Sequence, residues 1–220
     1  MSIDAILKLV GGATLQTFEM VIFSTIFSII LGFPLGVWLC VTDPATGITP
    51  RPVLNQILTR IVNILRSFPF IILMILLFPL SRLVLHTAIG TKATIIPLSI
   101  AAAPFVARII ESALNEVDPG VTQAARAMGS TNMQIICKVL IPEAMPSIVS
   151  GITLTIINLI GYSAMAGAIG GGGLGDLAIR YGYQRFKTEV LVVAVIVILV
   201  LVEVIQVAGS RIASNLLKKR

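Results

Sequence analysis

Few residues in this chain could carry out covalent chemistry, and their spacing argues against it. His86 is the only histidine, which leaves no imidazole cluster for a metal or for acid–base work. Cys40 and Cys137 belong to no Cys-x-x-Cys pair, so no metal or redox motif is formed. Two glycine motifs imitate catalytic signatures. Gly170-x-Gly172-x-x-Gly175 has the spacing of a dinucleotide fingerprint, but it follows an apolar run where that fingerprint needs a strand. Gly173-Leu174-Gly175-Asp176 spells the motif of an intramembrane aspartyl protease, whose chemistry needs two carboxylates sharing a proton. Asp4, Asp43 and Asp118 fall outside the apolar stretches, so no second aspartate can join Asp176. No GxxxxGK[ST] loop is present to cradle the phosphates of ATP. The expectation is a chain without a catalytic residue, a metal site or a cofactor.

What remains is apolar. Of the 220 residues 56% are hydrophobic and only 12% charged, against about 25% charged in soluble domains. That places the chain in the membrane class, an all-α polytopic protein. A bilayer core about 30 Å thick takes roughly 20 helical residues per crossing. Five spans are expected, at about 13–41, 57–80, 91–113, 147–169 and 188–208, joined by a polar segment at about 114–146 and filling the chain without a soluble domain. The run from Met20 to Thr42 is longer than the apolar core of a cleaved signal and is read as part of the first span. Arg60 and Arg66 sit in the second span and are expected to snorkel or to face protein.

The net charge of +6 does not point to nucleic acid, because no basic run is interleaved with aromatics. Basic residues in membrane proteins collect on the cytoplasmic side. With the C-terminus inside and the N-terminus outside, the inner side holds ten of the 16 lysines and arginines and the outer side six.

Two groups of residues stand out against this background. The first lies in the polar segment. Asp118-Pro119 can start a helix, and Val121, Ala124, Ala125 and Met128 share one face of it, with Thr122, Gln123 and Arg126 off that face. Gly129 suits a left-handed C-terminal cap. Ser130 can cap a second helix with Ile135, Ile136, Val139 and Leu140 on its apolar side, ended by Pro142 and Pro146. Short rigid helices with a small-residue face suit a lever gripped by a cytosolic partner; a membrane-surface helix would need a basic face and large apolar anchors. The second group lies deep in the fourth span: Tyr162, Ser163 and Met165, with Asn158 one turn earlier. Polar groups there tend to face the protein interior, and Met165 is flexible enough to plug a narrow path or to pack between helices. Gly161, Ala164 and Ala168 would let helices approach closely. Glu203 and Gln206 can share a face of the last span.

The spacing Gln123-Ala124-Ala125, three residues, Gly129, nine residues, Val139-Leu140-Ile141-Pro142 resembles the EAA loop of bacterial ABC importer permeases, with Gln123 where the family prefers Glu. Arg66-Ser67-Phe68-Pro69-Phe70, Ala103-Pro104-Phe105-Val106-Ala107-Arg108, Pro142-Glu143-Ala144-Met145-Pro146, Gly161-Tyr162-Ser163-Ala164-Met165 and Gly171-Gly172-Gly173-Leu174-Gly175 are similar to the methionine-importer permeases. The resemblance covers about residues 15–210. It implies a permease subunit in a bacterial inner membrane, homodimeric, working with two copies of an ATP-binding subunit and an external substrate-binding protein. It further implies that Gln123, Ala124, Ala125, Arg126, Met128, Gly129 and Pro142 couple to the ATPase, and that the fourth span lines a path opened by alternating access. Rival readings are the same machine for another amino acid or solute, an integral membrane enzyme, and a passive channel.

Overall fold

The computed structural model describes residues 3–218. Among these every regular element is a helix and there is no strand. α1 (Ile3–Val41) has 39 residues, about 58 Å at 1.5 Å per residue, so it outruns a bilayer core and must tilt or project. α4 (Thr91–Asn115) is the central element, with 61% of its most apolar window buried; in α9 (Thr188–Lys218) that share is 11%. α4 is therefore wrapped by protein, while α9 leaves most of its surface for lipid or a partner. Among the described residues four helices are long and apolar enough to cross a membrane, and one bent pair adds a fifth candidate.

α1 lies along α4 because two glycines let it. A Cβ on Gly32 would stand 2.5 Å from the Ala103 carbonyl oxygen, and one on Gly36 2.5 Å from that of Ala107. Without a hydrophobic drive between helices in lipid, such close backbone contact is what holds a pair together. Val106 and Ile110 fill the seam. Hydroxyls add ties to α4: Ser81 of α3 donates to the Ala93 carbonyl at 2.8 Å and Ser24 of α1 to that of Ile95 at 3.4 Å.

The stretch read as one span at 57–80 is two helices. α2 (Pro52–Ser67) and α3 (Phe70–Leu85) meet at 105°. The cause is Phe68-Pro69: proline bars the preceding residue from the α region, and Phe68 sits at φ −71°, ψ 133°. Asn55 fastens the start of α2 to the end of α1 by donating to the Leu39 carbonyl at 2.8 Å. Arg108 on α4 holds the middle of α2 through Asn63 at 2.8 Å while pairing with Glu111 at 2.6 Å.

The polar segment also differs from expectation. α5 (Pro119–Ala127) stands alone, but α6 (Asn132–Ile135) continues through a π-helical turn at Ile136–Leu140 into α7 (Ile141–Gly167). Pro142 and Pro146 do not end this helix. The amide of Ile141 reaches back five residues to Ile136, and the widened turn makes room for a proline ring that would otherwise clash with the carbonyl four residues earlier.

Residues 176–187, which lie between the fourth and fifth expected spans, are largely helical: α8 (Gly173–Leu177) runs into a second π-helical stretch, Ala178–Tyr183. α8 has no cap of its own. Gln16 and Thr17 of α1 supply one, accepting from the amides of Gly173 and Leu174, both at 2.9 Å. This satisfies donors that a helix start leaves open. The glycines permit the turn: Gly170, Gly172 and Gly173 have φ of 88°, 79° and 79°.

Candidate coupling surface and transport face

α5 is built to keep one shape at one angle. Asp118 caps it, its carboxylate accepting from the Gly120 amide at 2.7 Å, with Pro119 in the first helical position. At the other end Gly129 has φ +82°. Its amide donates to the Arg126 carbonyl at 2.9 Å, and that of Ser130 to Ala125 at 3.1 Å. These two bonds are the six-to-one and five-to-two pair of a Schellman cap. No atom lies within 4 Å of a Cβ built on Gly129, so glycine is required there for its backbone and not for space. The next helix is capped by Thr131 and not by Ser130. The Thr131 amide donates to Gln134 Oε1 at 2.8 Å and its hydroxyl accepts from the Gln134 amide at 3.4 Å, a reciprocal capping box.

The expected apolar face of α5 divides in two. Ala125 is buried among Val117, Ile135, Leu140 and Ala144, which seats the helix on the bundle. Val121, Gln123, Ala124 and Met128 are exposed, Met128 at 79%. Arg126 turns back onto the chain itself: its guanidinium donates to the carbonyl of Ile48 in the turn after α1, at 2.9 Å. Asp43 shapes that turn, accepting from the amides of Ala45 and Thr46 at 2.8 Å and from the Thr46 hydroxyl at 3.1 Å. The Thr46 amide foremost, with Ala45 and the Thr46 hydroxyl, holds the Asp43 carboxyl below its ordinary value against the opposing effect of burial. Beside α5, Met128, Gly129, Gln134 and Lys138 line a surface hollow of about 390 Å³. Pro142 is exposed one helical segment further on.

The four residues singled out in the fourth span point in three directions. Asn158 and Met165 are exposed, Met165 at 47%, and share a face of α7 with Leu154 and Gly161. Gly161 has open space where a Cβ would stand, so it seats no helix within the chain. Tyr162 turns toward α3 and stacks on Phe70, with centroids 4.2 Å apart and planes 9° from parallel. Ser163 is buried and donates to the Ile160 carbonyl of its own helix at 2.7 Å. The glycines that do bring helices together were not those expected from the apolar run. A Cβ on Gly167 would strike the Asp176 amide, one on Gly175 the backbone of Ala164, and one on Gly209 the side chain of Thr153. Glu203 and Gln206 are both exposed, and Gln206 donates to Ser210 at 3.2 Å. Among the described residues no cluster of three potential metal ligands occurs.

Comparison with known proteins places this architecture. Residues 28–216 match the model of the family described as binding-protein-dependent transport system inner membrane component. The chain is 50% identical over 198 residues to the probable D-methionine transport system permease protein MetI of Vibrio cholerae, covering 90% of this chain and 88% of that one. It is 49% identical over 166 residues to the methionine import system permease protein MetP of Bacillus subtilis, covering 76% and 74%. Among solved structures it resembles a chain of the inward-facing MetNI methionine ABC transporter, with a TM-score of 0.95, 43% identity, and 98% and 99% of the two chains covered. The exposed, doubly capped α5 and the open face of α7 are thus features of a transport subunit, and the chain belongs to the family of binding-protein-dependent transport system inner membrane components.

Proposed function

We propose that this chain is the permease subunit of a methionine ABC importer, working as a homodimer with two copies of an ATP-binding subunit and an external binding protein. The observation that carries the reading is α5: a short helix fixed at both ends, with Gln123, Ala124 and Met128 turned outward and left exposed by the described residues. A helix held so firmly yet left uncovered suits a socket on another protein. Near-full-length similarity to permeases named for methionine supports the cargo. In this reading α5 lies on the cytosolic side, the N-terminus is outside and the C-terminus inside. ATP closes the ATPase pair, the two α5 helices move together, and the path opens outward.

The face of α7 carrying Leu154, Asn158, Gly161 and Met165 then lies toward the two-fold axis. Met165 acts as a movable plug, and Asn158 offers a polar rung one to two turns away. Tyr162 positions this face through its stack on Phe70, and Ser163 serves packing behind it. Gln123 retains hydrogen bonding to the ATPase without the charge of a glutamate. Swinging such an equilibrium from 1:99 to 99:1 takes about 5.5 kcal/mol of differential binding, which nucleotide and binding protein must supply.

The test is reconstitution in proteoliposomes with the ATP-binding subunit and the binding protein. ATP-dependent uptake of L- or D-methionine, abolished by replacing 119–129 with a flexible linker, is the expected result. Uptake of another solute in preference to methionine would overturn the cargo, and uptake that survives the replacement would overturn the lever.

A further inference from the structure

The elbow between α2 and α3 borders a cavity of about 230 Å³ that, Tyr162 apart, none of the coupling or path residues lines. Its walls come from four helices: Arg66 and Phe68 at the end of α2, Phe70 and Leu73 at the start of α3, Phe105 on α4 and Tyr162 on α7. The volume falls below the roughly 300–1,000 Å³ of pockets for drug-sized ligands, so it suits one small molecule. The lining is aromatic, with a single cationic group among the residues named.

That cation lacks a counter-charge. Arg108 is paired with Glu111 and Arg180 with Asp176. Among the described residues Arg66 has no ion pair or hydrogen bond, and its guanidinium lies 6.0 Å from the centre of the Phe105 ring. Arg66 is exposed at the elbow, attended there by the Phe105 face, and its fork matches a carboxylate in two bonds. The broken helix adds complementary charge at the same place. α2 ends there, where a helix leaves its last carbonyls without intrahelical partners, and α3 begins there behind Pro69 without a side-chain cap. The elbow therefore offers acceptors for an ammonium and donors for a carboxylate a few residues apart. The stacked rings of Phe70 and Tyr162, with Phe105, complete an apolar recess in which a thioether gains sulfur–aromatic contacts.

We infer that the α2–α3 elbow is a resting site for one apolar amino-acid zwitterion, its carboxylate on Arg66 and its side chain among Phe70, Phe105 and Tyr162. This rests on the reading of the chain as an amino-acid permease and names the residues that read the cargo. Because Tyr162 belongs both to this cavity and to α7, occupancy bears directly on the helix that carries Met165.

Photo-methionine, a diazirine analogue, tests the site on the complete complex with its ATPase in lipid nanodiscs. Irradiation is expected to label segments 65–73 and 101–105, and excess L-methionine is expected to suppress that label. Label confined to other segments overturns the site. So does elbow label that L-methionine leaves unchanged, which would mean that Arg66 serves a lipid headgroup. In transport, Arg66→Gln is expected to raise KM for methionine by about tenfold or more, with partial recovery in Arg66→Lys. Arg60→Gln, outside the cavity, is expected to keep the native KM. An unchanged KM in Arg66→Gln overturns the assignment; should that variant fail to assemble, the labelling of the native complex decides. Methionine uptake by the native complex without elbow label removes this site alone, whereas absence of that uptake removes the transport reading with it.

Discussion

Arg126 of α5 donates to the carbonyl of Ile48, 78 positions earlier, at 2.9 Å. The bond joins α5 to the turn that ends α1, the helix packed along the central α4. In the proposed lever a push on α5 would reach α1 by this bond and, through Ala125, the buried seam of Ile135, Leu140 and Ala144. Arg126→Ala should cut this tie at a modest cost, about 1 kcal/mol for an exposed charge-assisted bond. The measurement is amide hydrogen exchange. Segments 43–49 and 119–129 should both exchange faster in the variant, while the buried windows of α4 stay as they were. Faster exchange in 119–129 alone would mean that the bond carries nothing to the α1 turn.

Gly129 is the residue whose substitution should separate folding from function. A side chain at its φ of +82° costs roughly 1–2 kcal/mol, and this strain falls on a cap outside the transmembrane core. Gly129→Val should therefore insert and dimerise but lose ATP-driven uptake, because α5 leaves its cap at a different angle. Gly129→Ala, without β-branching, should retain part of the activity. Immunoblots of membrane fractions beside uptake assays make the comparison, and full uptake by Gly129→Val would contradict the lever.

How far the sequence discloses all this depends on which physics each feature uses. Long apolar runs announce α1, α4, α7 and α9, since length and hydropathy are what a bilayer demands. The Schellman cap at Gly129 is legible for a similar reason: it is local, and the residues that make it are adjacent. The elbow at Phe68-Pro69 is hidden because apolar content continues across it, although the proline was a visible warning. The merger of α6 with α7 is hidden because a π turn inserts one residue into the helical period, and a proline then reads as a stop. The cap of α8 by Gln16 and Thr17 joins positions 157 apart, and no window along the chain contains both. Which way Asn158, Tyr162, Ser163 and Met165 point is likewise set by neighbours on other helices.

Asp43 makes the α1 turn sensitive to acid in a definite direction. Hydrogen bonds from Thr46 and Ala45 favour its ionised form, so its folded pKa lies below the ordinary 3.8. A depressed carboxyl contributes stability that is present above its unfolded value and is lost as pH falls through the folded one. The turn should thus keep its shape from neutrality to about pH 4 and loosen only in stronger acid. Protection of the Ala45 and Thr46 amides, corrected for the intrinsic pH dependence of exchange, reports this. Asp43→Ala should lose the protection at every pH and weaken the Arg126 tie with it. Loss of protection in the native chain already at about pH 6 would assign the turn to some other group.

Met165 is 47% exposed on the face of α7 that also carries Leu154, Asn158 and Gly161. The described residues leave about half of its surface uncovered, and in the proposed homodimer related across this face two copies would meet. An unbranched thioether can fill a narrow gap and swing out of it at small rotameric cost, which is what a plug in an alternating path requires. Met165→Ala should leave the plug too short, so that ATP hydrolysis continues while net accumulation falls as substrate leaks back. Met165→Trp should overfill the axis and slow uptake with little change in assembly. The discriminating quantity is the ratio of methionine accumulated to ATP hydrolysed in proteoliposomes, together with passive efflux after ATP is removed. A packing role predicts the opposite pattern for Met165→Ala, namely loss of dimer stability with an unchanged transport ratio in the complexes that remain.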